Sequence, residues 1–490
     1  SGGGRRGLPA LMTAPVAGPS AAGVVASGHP RAAQAGRDAL AAGGSVVDAV
    51  LRMAFTQWVV NAPLCGPGGD LFVLHVKGDQ ATVYGGWSGI PLAFPAGGPV
   101  PYSGPGAAVV PGALAGAHAA WSAHGRLGWA DLFASGLEAA EGHEVTPWMA
   151  TSYASVVARG NGPALQQVLD QQEPPAAGAH ISTRRLGASL AVLADAGPGA
   201  LYDGPLGQRL VAAITAQGGY LRAEDLAAVR AQVCPAEVAE LDGLTIALPG
   251  LPSQAGLTVE LLEAVGRTVP VESPDFARAL AAVTQDALIR RCVVGLPGTA
   301  VSTAAAGDEA AIVVHSLAGV QFGTGWVAGD TGIALGNRVG TALSDRPDLP
   351  AANPRPGALM PHTLSAAWLR SGDRSMLVAS PGGDRQVQWL AQSAQRFRQG
   401  ADLAEVVAGP RWFVCPEGDR FGVPQGIGAE WFLFAEPGIA WRDETELAGL
   451  AVRPVTSVGG GVQAVSRTTA TDWSSGSDPR AGGAALAVEP

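Results

Sequence analysis

The chain has 490 residues, 15% of them charged and 47% hydrophobic, which excludes a disordered or coiled-coil protein and leaves ample apolar material for a large core. Its formal charge is −10 and Lys77 is the single lysine among 31 basic residues, so no Lys/Arg cluster offers a footprint for nucleic acid or an anionic membrane surface. Cys65, Cys234, Cys292 and Cys415 are widely spaced with no C-x-x-C pairing, and they read as reduced, mostly buried thiols rather than a zinc or redox centre.

Residues 29–60 place Ala32, Gly36 and Leu40, then Val46, Val47, Val50 and Met53, at helical spacing, and Gly43-Gly44 predicts a break into two helices. The stretches 71–77 and 81–84 predict a hairpin turning at Gly78-Asp79. From about 108 to 240 the pattern is mainly helical; a strand follows from Gly243, and two helices fill 254–294. Strands are predicted at 309–317, 361–370 and 374–380 and a helix at 385–398, and the Gly/Ser/Thr-rich tail after 457 is expected to be partly disordered. Helices on both sides of a block of strands predict a layered α/β sandwich rather than a βαβ repeat.

Gly66-x-Gly68-Gly69 precedes a strand instead of opening a helix, which argues against a phosphate cradle. With no metal-ligand cluster either, neither a metal nor an organic cofactor is expected. No run of 18 apolar residues occurs, and the stretch after Ser1-Gly2-Gly3-Gly4-Arg5-Arg6 is too weakly apolar for a signal peptide, so a cytoplasmic location is expected.

Several short motifs then fall in a telling order. Gly28-His29-Pro30-Arg31 leads to Ala35-Gly36-Arg37-Asp38 and Ala42-Gly43-Gly44-Ser45-Val46-Val47-Asp48-Ala49. Asn61-Ala62-Pro63-Leu64-Cys65-Gly66-Pro67-Gly68-Gly69-Asp70 follows, then Val110-Pro111-Gly112 and Gly218-Gly219-Tyr220-Leu221. Phe322-Gly323-Thr324-Gly325, Asp330-Thr331-Gly332-Ile333 and Ser380-Pro381-Gly382-Gly383-Asp384-Arg385 complete the series. Each is weak alone, but in this order the chain resembles the γ-glutamyltransferase family.

That resemblance implies a four-layer αββα N-terminal-nucleophile (Ntn) hydrolase sandwich. Autoproteolysis would divide it into segments 1–298 and 299–490, which stay together as a heterodimer forming one folded unit and act on a small-molecule substrate. The nucleophile is then a threonine at the new N-terminus, whose hydroxyl attacks while its own α-amine, with an unperturbed pKa of about 7.7–8.0, serves as general base. The eight histidines offer no Ser-His-Asp arrangement to set against this. The family register falls on Gly298 or Thr299, and only Thr299 carries a hydroxyl. This choice implies a hairpin turning at Gly307-Asp308; Ser302 and Thr303 remain alternatives, because Ala300-Val301 stands where the family commonly has Thr-His. By the same resemblance Gly382 and Gly383 supply oxyanion amides and Ser316 orients the nucleophile's amine.

The residues that would read glutamate are replaced. Trp87 stands in place of the carboxylate-binding arginine, Thr341 in place of the ammonium-binding acid, and Arg338 in place of its companion. Ala358 and Leu359 replace paired serines, and Ala318 replaces a strand-end asparagine. Trp87, Arg338, Thr341, Ala358 and Leu359 are therefore expected to form an altered substrate pocket, with Trp87 as an apolar slab and Arg338 as a relocated cation. Three functions are compatible with this. The first is hydrolysis of an acyl, or C–C, bond in an oxo-acid, as is associated with similar family relatives from actinobacterial pathways to 4-alkylproline antibiotics. The second is a γ-glutamyl hydrolase, transferase or acylase, and the third a catalytically silent binding protein.

Overall fold

The computed structural model describes residues 15–20, 22–96, 101–158, 162–169, 173–291, 298–318, 321–341, 355–416, 430–468 and 472–489. The two helices expected around Gly43-Gly44 are Pro30–Ala41 and Val46–Val60. The first opens on His29, whose Nδ1 accepts the Arg31 N–H at 3.2 Å. The second opens on a capping box: Ser45 Oγ accepts from Asp48 N–H at 3.0 Å, and Asp48 Oδ2 accepts from Ser45 N–H at 2.8 Å. Nearly every residue of Val46–Val60 is buried, because this helix lies between a sheet and an outer set of helices.

Two seven-stranded antiparallel sheets form the middle of the molecule. The first runs Ala484–Ala487, Val24–Ser27, Thr299–Ala306, Glu309–Ser316, Asp70–Lys77, Gln80–Gly86 and Gln232–Pro235. The second runs Val16–Ser20, Trp473–Ser477, Gln463–Arg467, Arg374–Ala379, Ala366–Ser371, Leu244–Leu248 and Glu237–Leu241. Their facing sides share a core that includes Phe72, Ile312, Val314, Trp368 and Leu377. Phe55, Trp58 and Leu190 belong to the core on the outer face of the first sheet; Phe276, Leu390 and Trp412 belong to that of the second. Three cores between four layers make the αββα sandwich.

The hairpin turning at Gly307-Asp308 is present, pairing Thr299–Ala306 with Glu309–Ser316 so that Thr299 lies opposite Ser316. The helix Arg385–Arg398 and the strand Arg374–Ala379 match their predicted positions. One expectation is corrected. The tail after 457 is not loose over its described residues: Gln463–Arg467 and Trp473–Ser477 are inner strands of the second sheet, and Ala484–Ala487 is an edge of the first. Small residues such as Ser475 and Ser477 are fully buried there, where backbone pairing on both sides matters more than side-chain bulk. A small sheet of Trp412–Pro416, Trp431–Ala435, Leu450–Pro454 and Glu446–Leu447 packs against the C-terminal helices. Cys65 and Cys415 are buried cysteines, Cys234 is an exposed one, and Cys292 lies outside the described residues.

Candidate active site

A cavity of about 430 Å³ opens at the end of the Thr299 strand. Its walls come from both sides of the Gly298–Thr299 bond: Gln57, Asn61, Trp148 and Ser152 precede it, whereas Gly382, Arg385, Trp389 and Phe413 follow it. Gly298 and Thr299 themselves line it. Trp148, Trp389, Phe413, Leu64 and Val458 make the lining mainly apolar.

Both atoms that would react in self-cleavage are held by hydrogen bonds. Ser316 Oγ accepts the N–H of Ala318 at 2.7 Å, so its own proton is donated to the second partner, the carbonyl oxygen of Gly298. Ser316 therefore polarises the carbonyl preceding Thr299. Ala318, whose N–H makes that bond, sits at φ 62, a left-handed conformation that costs an L-residue roughly 1–2 kcal/mol. Thr299 Oγ1 accepts from Gln386 Nε2 at 3.2 Å.

Gly382 and Gly383 lie just before the helix Arg385–Arg398 at φ 154 and 60, and Gly382 lines the cavity. A Cβ on Gly382 would come within 2.3 Å of the Trp389 ring, and one on Gly460 within 2.4 Å of the same ring atom. The edge of the Trp389 ring is thus seated against two glycines. The Gly459–Gly461 wall is braced by a buried ionic network. Arg411 Nη2 donates to Gly459 O at 3.1 Å and to Asp478 Oδ2 at 2.5 Å, Val458 N–H donates to Glu436 Oε1 at 2.8 Å, and Arg480 binds both Glu436 and Asp478.

The expected substrate positions do not gather at this cavity. Arg338, read as a cation for the substrate, is corrected: it is 2% exposed and its Nε donates to Asp70 Oδ2 at 2.7 Å. Asp70, directly across the ladder from Ser316, also accepts the Ser88 N–H at 2.6 Å, and His362 Nε2 lies 3.3 Å from it. Burial alone would raise the Asp70 pKa, but Arg338, His362 and the Ser88 N–H outweigh burial and hold the carboxyl well below the usual range. Burial, followed by the repulsion of Arg338, pushes His362 down to about 4 against the pull of Asp70. The trio is an internal brace beside the Thr299–Ser316 hairpin.

Trp87 is corrected likewise. It packs in the core between the sheets, with its ring 5.5 Å from Phe72 and 4.5 Å from His362, because its strand ends facing that core. Ala358 and Leu359 pair with the backbone at Gly89 and Ile90, outside the cavity lining. Thr341 ends a short 3-10 turn, and its side chain lies outside the described residues. The cation that does line the cavity is Arg385, its guanidinium stacked 4.4 Å from the Phe413 ring centroid. Arg385 stood in the Ser380–Arg385 motif but was read only as part of a signature. Gln386 follows it, and the fully buried helix repeats glutamine at 388, 392 and 395, a polar pattern at core positions that signals specific hydrogen bonds. Trp148, Ser152 and Phe413 come from elements distant in sequence and carried no local signal.

Among the solved structures that share this fold are those of two proteins covered over nearly their whole length. Cephalosporin acylase from Bacillus halodurans superposes with a TM-score of 0.81 at 22% identity, covering 98% of each chain. LmbA2991HD does so with a TM-score of 0.81 at 21% identity, covering 96% of this chain and 98% of that one. The architecture is that of the Ntn hydrolases. The gamma-glutamyltranspeptidase family model matches residues 32–286 and 293–488, and the chain belongs to that family. Oxamate amidohydrolase proenzyme of Klebsiella pneumoniae subsp. pneumoniae is 29% identical over 454 residues, 80% of this chain and 85% of that protein. Glutathione hydrolase 3 of Arabidopsis thaliana is 29% identical over 247 residues, but that match spans 48% of this chain and only 38% of the plant protein. Among the described residues no helix is long and apolar enough to cross a membrane, and no His/Cys/Asp/Glu group is arranged to hold a metal ion.

Proposed function

We propose that this Ntn hydrolase cuts its own Gly298–Thr299 bond and then uses Thr299 to hydrolyse an acyl bond in a mainly apolar acid larger than a γ-glutamyl group. The observation that carries this reading is that Thr299 Oγ1 and the Gly298 carbonyl, the two reacting groups of self-cleavage, lie in one cavity with a hydrogen-bond donor on each. Attack by the hydroxyl on that carbonyl would give an ester, and water would release the α-amine of Thr299 as general base for turnover. The proenzyme form of the Klebsiella relative is consistent with such maturation. Segments 1–298 and 299–490 would then be two chains of one folded unit.

In turnover, the substrate carbonyl would sit between Thr299 and the amides of Gly382 and Gly383, which would stabilise the developing oxyanion by about 3 kcal/mol per donor. Trp148, Trp389 and Phe413 favour a planar or extended apolar acid, and Arg385 can take its carboxylate. An oxo-acid intermediate of the kind found in 4-alkylproline antibiotic biosynthesis fits this description. Attack on its ketone would expel a stabilised carbanion or enol and leave an acyl-enzyme, which water would hydrolyse to the second acid. Loss of the family's glutamate-binding arginine and acid forfeits charge-assisted hydrogen bonds of roughly 1.5–3 kcal/mol each, so γ-glutamyl substrates should lose about three orders of magnitude. The test compares turnover of glutathione and a γ-glutamyl anilide with that of an oxo-acid bearing a cyclic amino-acid group. Cleavage of the oxo-acid alone is expected; efficient γ-glutamyl transfer without it would favour the γ-glutamyl or acylase reading instead.

A further inference from the structure

Gln386 is 1% exposed and lies in the first turn of the helix Arg385–Arg398, directly after the Gly382-Gly383 pair. Its side-chain oxygen accepts the backbone N–H of Ser365 at 3.0 Å, and its side-chain nitrogen lies 3.2 Å from Thr299 Oγ1. The two ends of a carboxamide are distinguished here by chemistry. A backbone N–H can only donate, so the end facing Ser365 must be the carbonyl, and the end facing Thr299 must be the NH2. The Thr299 oxygen therefore accepts a hydrogen bond whose direction is set by a rigid backbone donor at the start of the neighbouring strand of the second sheet.

We infer that Gln386 is a positioning residue for the nucleophile. Resting on the reading of Thr299 as that nucleophile, it deepens it. The donated N–H occupies one lone pair of the hydroxyl, turns the hydroxyl proton away from Gln386, and leaves the other lone pair for attack. It also favours the more negative oxygen that forms as the proton departs. Its importance grows after self-cleavage, because Thr299 then becomes a chain terminus, and termini fray unless tied down. The ladder opposite Ser316 holds the backbone of Thr299, and Gln386 holds its hydroxyl. Ser365, Gln386 and Thr299 all lie C-terminal to the cleaved bond, so the clamp survives processing intact.

The experiment uses the processed enzyme and a β-lactone probe, whose ring opens on a nucleophilic threonine hydroxyl and adds its full mass to the C-terminal fragment. Gln386→Met keeps the length and removes both hydrogen bonds. Gln386→Glu keeps the acceptor for Ser365 and places a carboxylate beside Thr299. Thr299→Ala tests the underlying reading. Asp384 and Arg385, beside Gln386 in the chain, and the Asp70–Arg338–His362 trio are unchanged in all three variants. We expect folded Gln386→Met to label about tenfold more slowly than wild type, the worth of one neutral hydrogen bond in the transition state, and to melt at a lower temperature because the buried Ser365 N–H is left unpaired. Gln386→Glu should shift the midpoint of the pH–labelling profile upward, since an adjacent anion stabilises the Thr299 ammonium; a side chain that did not reach Thr299 would leave that midpoint in place. Should Gln386→Met fail to fold, the midpoint of Gln386→Glu still decides. Wild-type rates and midpoint in the Gln386 variants, with Thr299→Ala uncut and unlabelled, would overturn the role of Gln386 alone. Wild-type labelling of Thr299→Ala would remove the nucleophile assignment and this inference with it.

Discussion

Two arginines, each close to an aromatic ring or a carboxylate, have different fates, and their contrast is testable residue by residue. Arg338 is spent on Asp70 inside the molecule, whereas Arg385 lines the cavity. Removing one partner of a buried pair leaves the other charge uncompensated, so Asp70→Asn or Arg338→Met should cost about 3–5 kcal/mol of stability, read by urea unfolding. Arg385→Leu should instead leave self-cleavage intact and raise KM for a carboxylate-bearing substrate by about tenfold or more, the worth of a charge-assisted hydrogen bond. An unchanged KM in Arg385→Leu, with a raised KM in folded Arg338→Met, would reverse the assignment. The sequence displayed both arginines but not their partners. Asp70 lies 268 positions from Arg338 and is brought to it only when the strand Asp70–Lys77 pairs beside Glu309–Ser316.

Among the elements, local pattern carried the hairpins and helices well, because alternation, Gly-Asp turns and caps act over a few residues. The Gly78-Asp79 turn and the helix Arg385–Arg398 were legible on those grounds, whereas the Gly307-Asp308 turn followed from the resemblance to the family. The strands Trp412–Pro416 and Trp431–Ala435 were not, since Trp-Phe-Val-Cys and Trp-Phe-Leu-Phe are continuous apolar runs without a period to separate strand from helix. The same gap hid one wall of the cavity: Phe413 and the Val455–Gly461 stretch reach it through the small sheet and the ionic network around Glu436. Glu436→Gln removes the charge that holds Arg480 and weakens the anchor of Val458. Its expected effects are a lower melting temperature and a higher KM with self-cleavage retained; unchanged values of both would show that the wall stands without this brace.

At the scale of the whole molecule, buried histidines, His29, His315 and His362 among them, tie stability to pH. Burial holds His29 and His315 at about 3 and His362 at about 4, far below the 6.5 of an unfolded chain. They stay neutral when folded and take up protons when unfolded, so their contribution is fully present above about pH 6.5 and is lost as pH falls toward 4. Unfolding near pH 5 should take up about three protons from this set, and the melting temperature should fall steadily below about pH 6. A melting temperature that rises from pH 7 to 5 would contradict this.

The two segments on either side of Gly298–Thr299 also interleave in both sheets. Val24–Ser27 lies between Ala484–Ala487 and Thr299–Ala306, and Leu244–Leu248 pairs with Ala366–Ser371. A cut at that bond should therefore yield two chains that co-elute under native conditions and part only in denaturant. The most direct measurement is the intact mass and N-terminal sequence of the purified protein after denaturation. The account predicts a C-terminal fragment beginning at Thr299, and a single uncut chain for Thr299→Ala; a fragment beginning at Ser302 or Thr303, or an uncut chain with full activity, would contradict it.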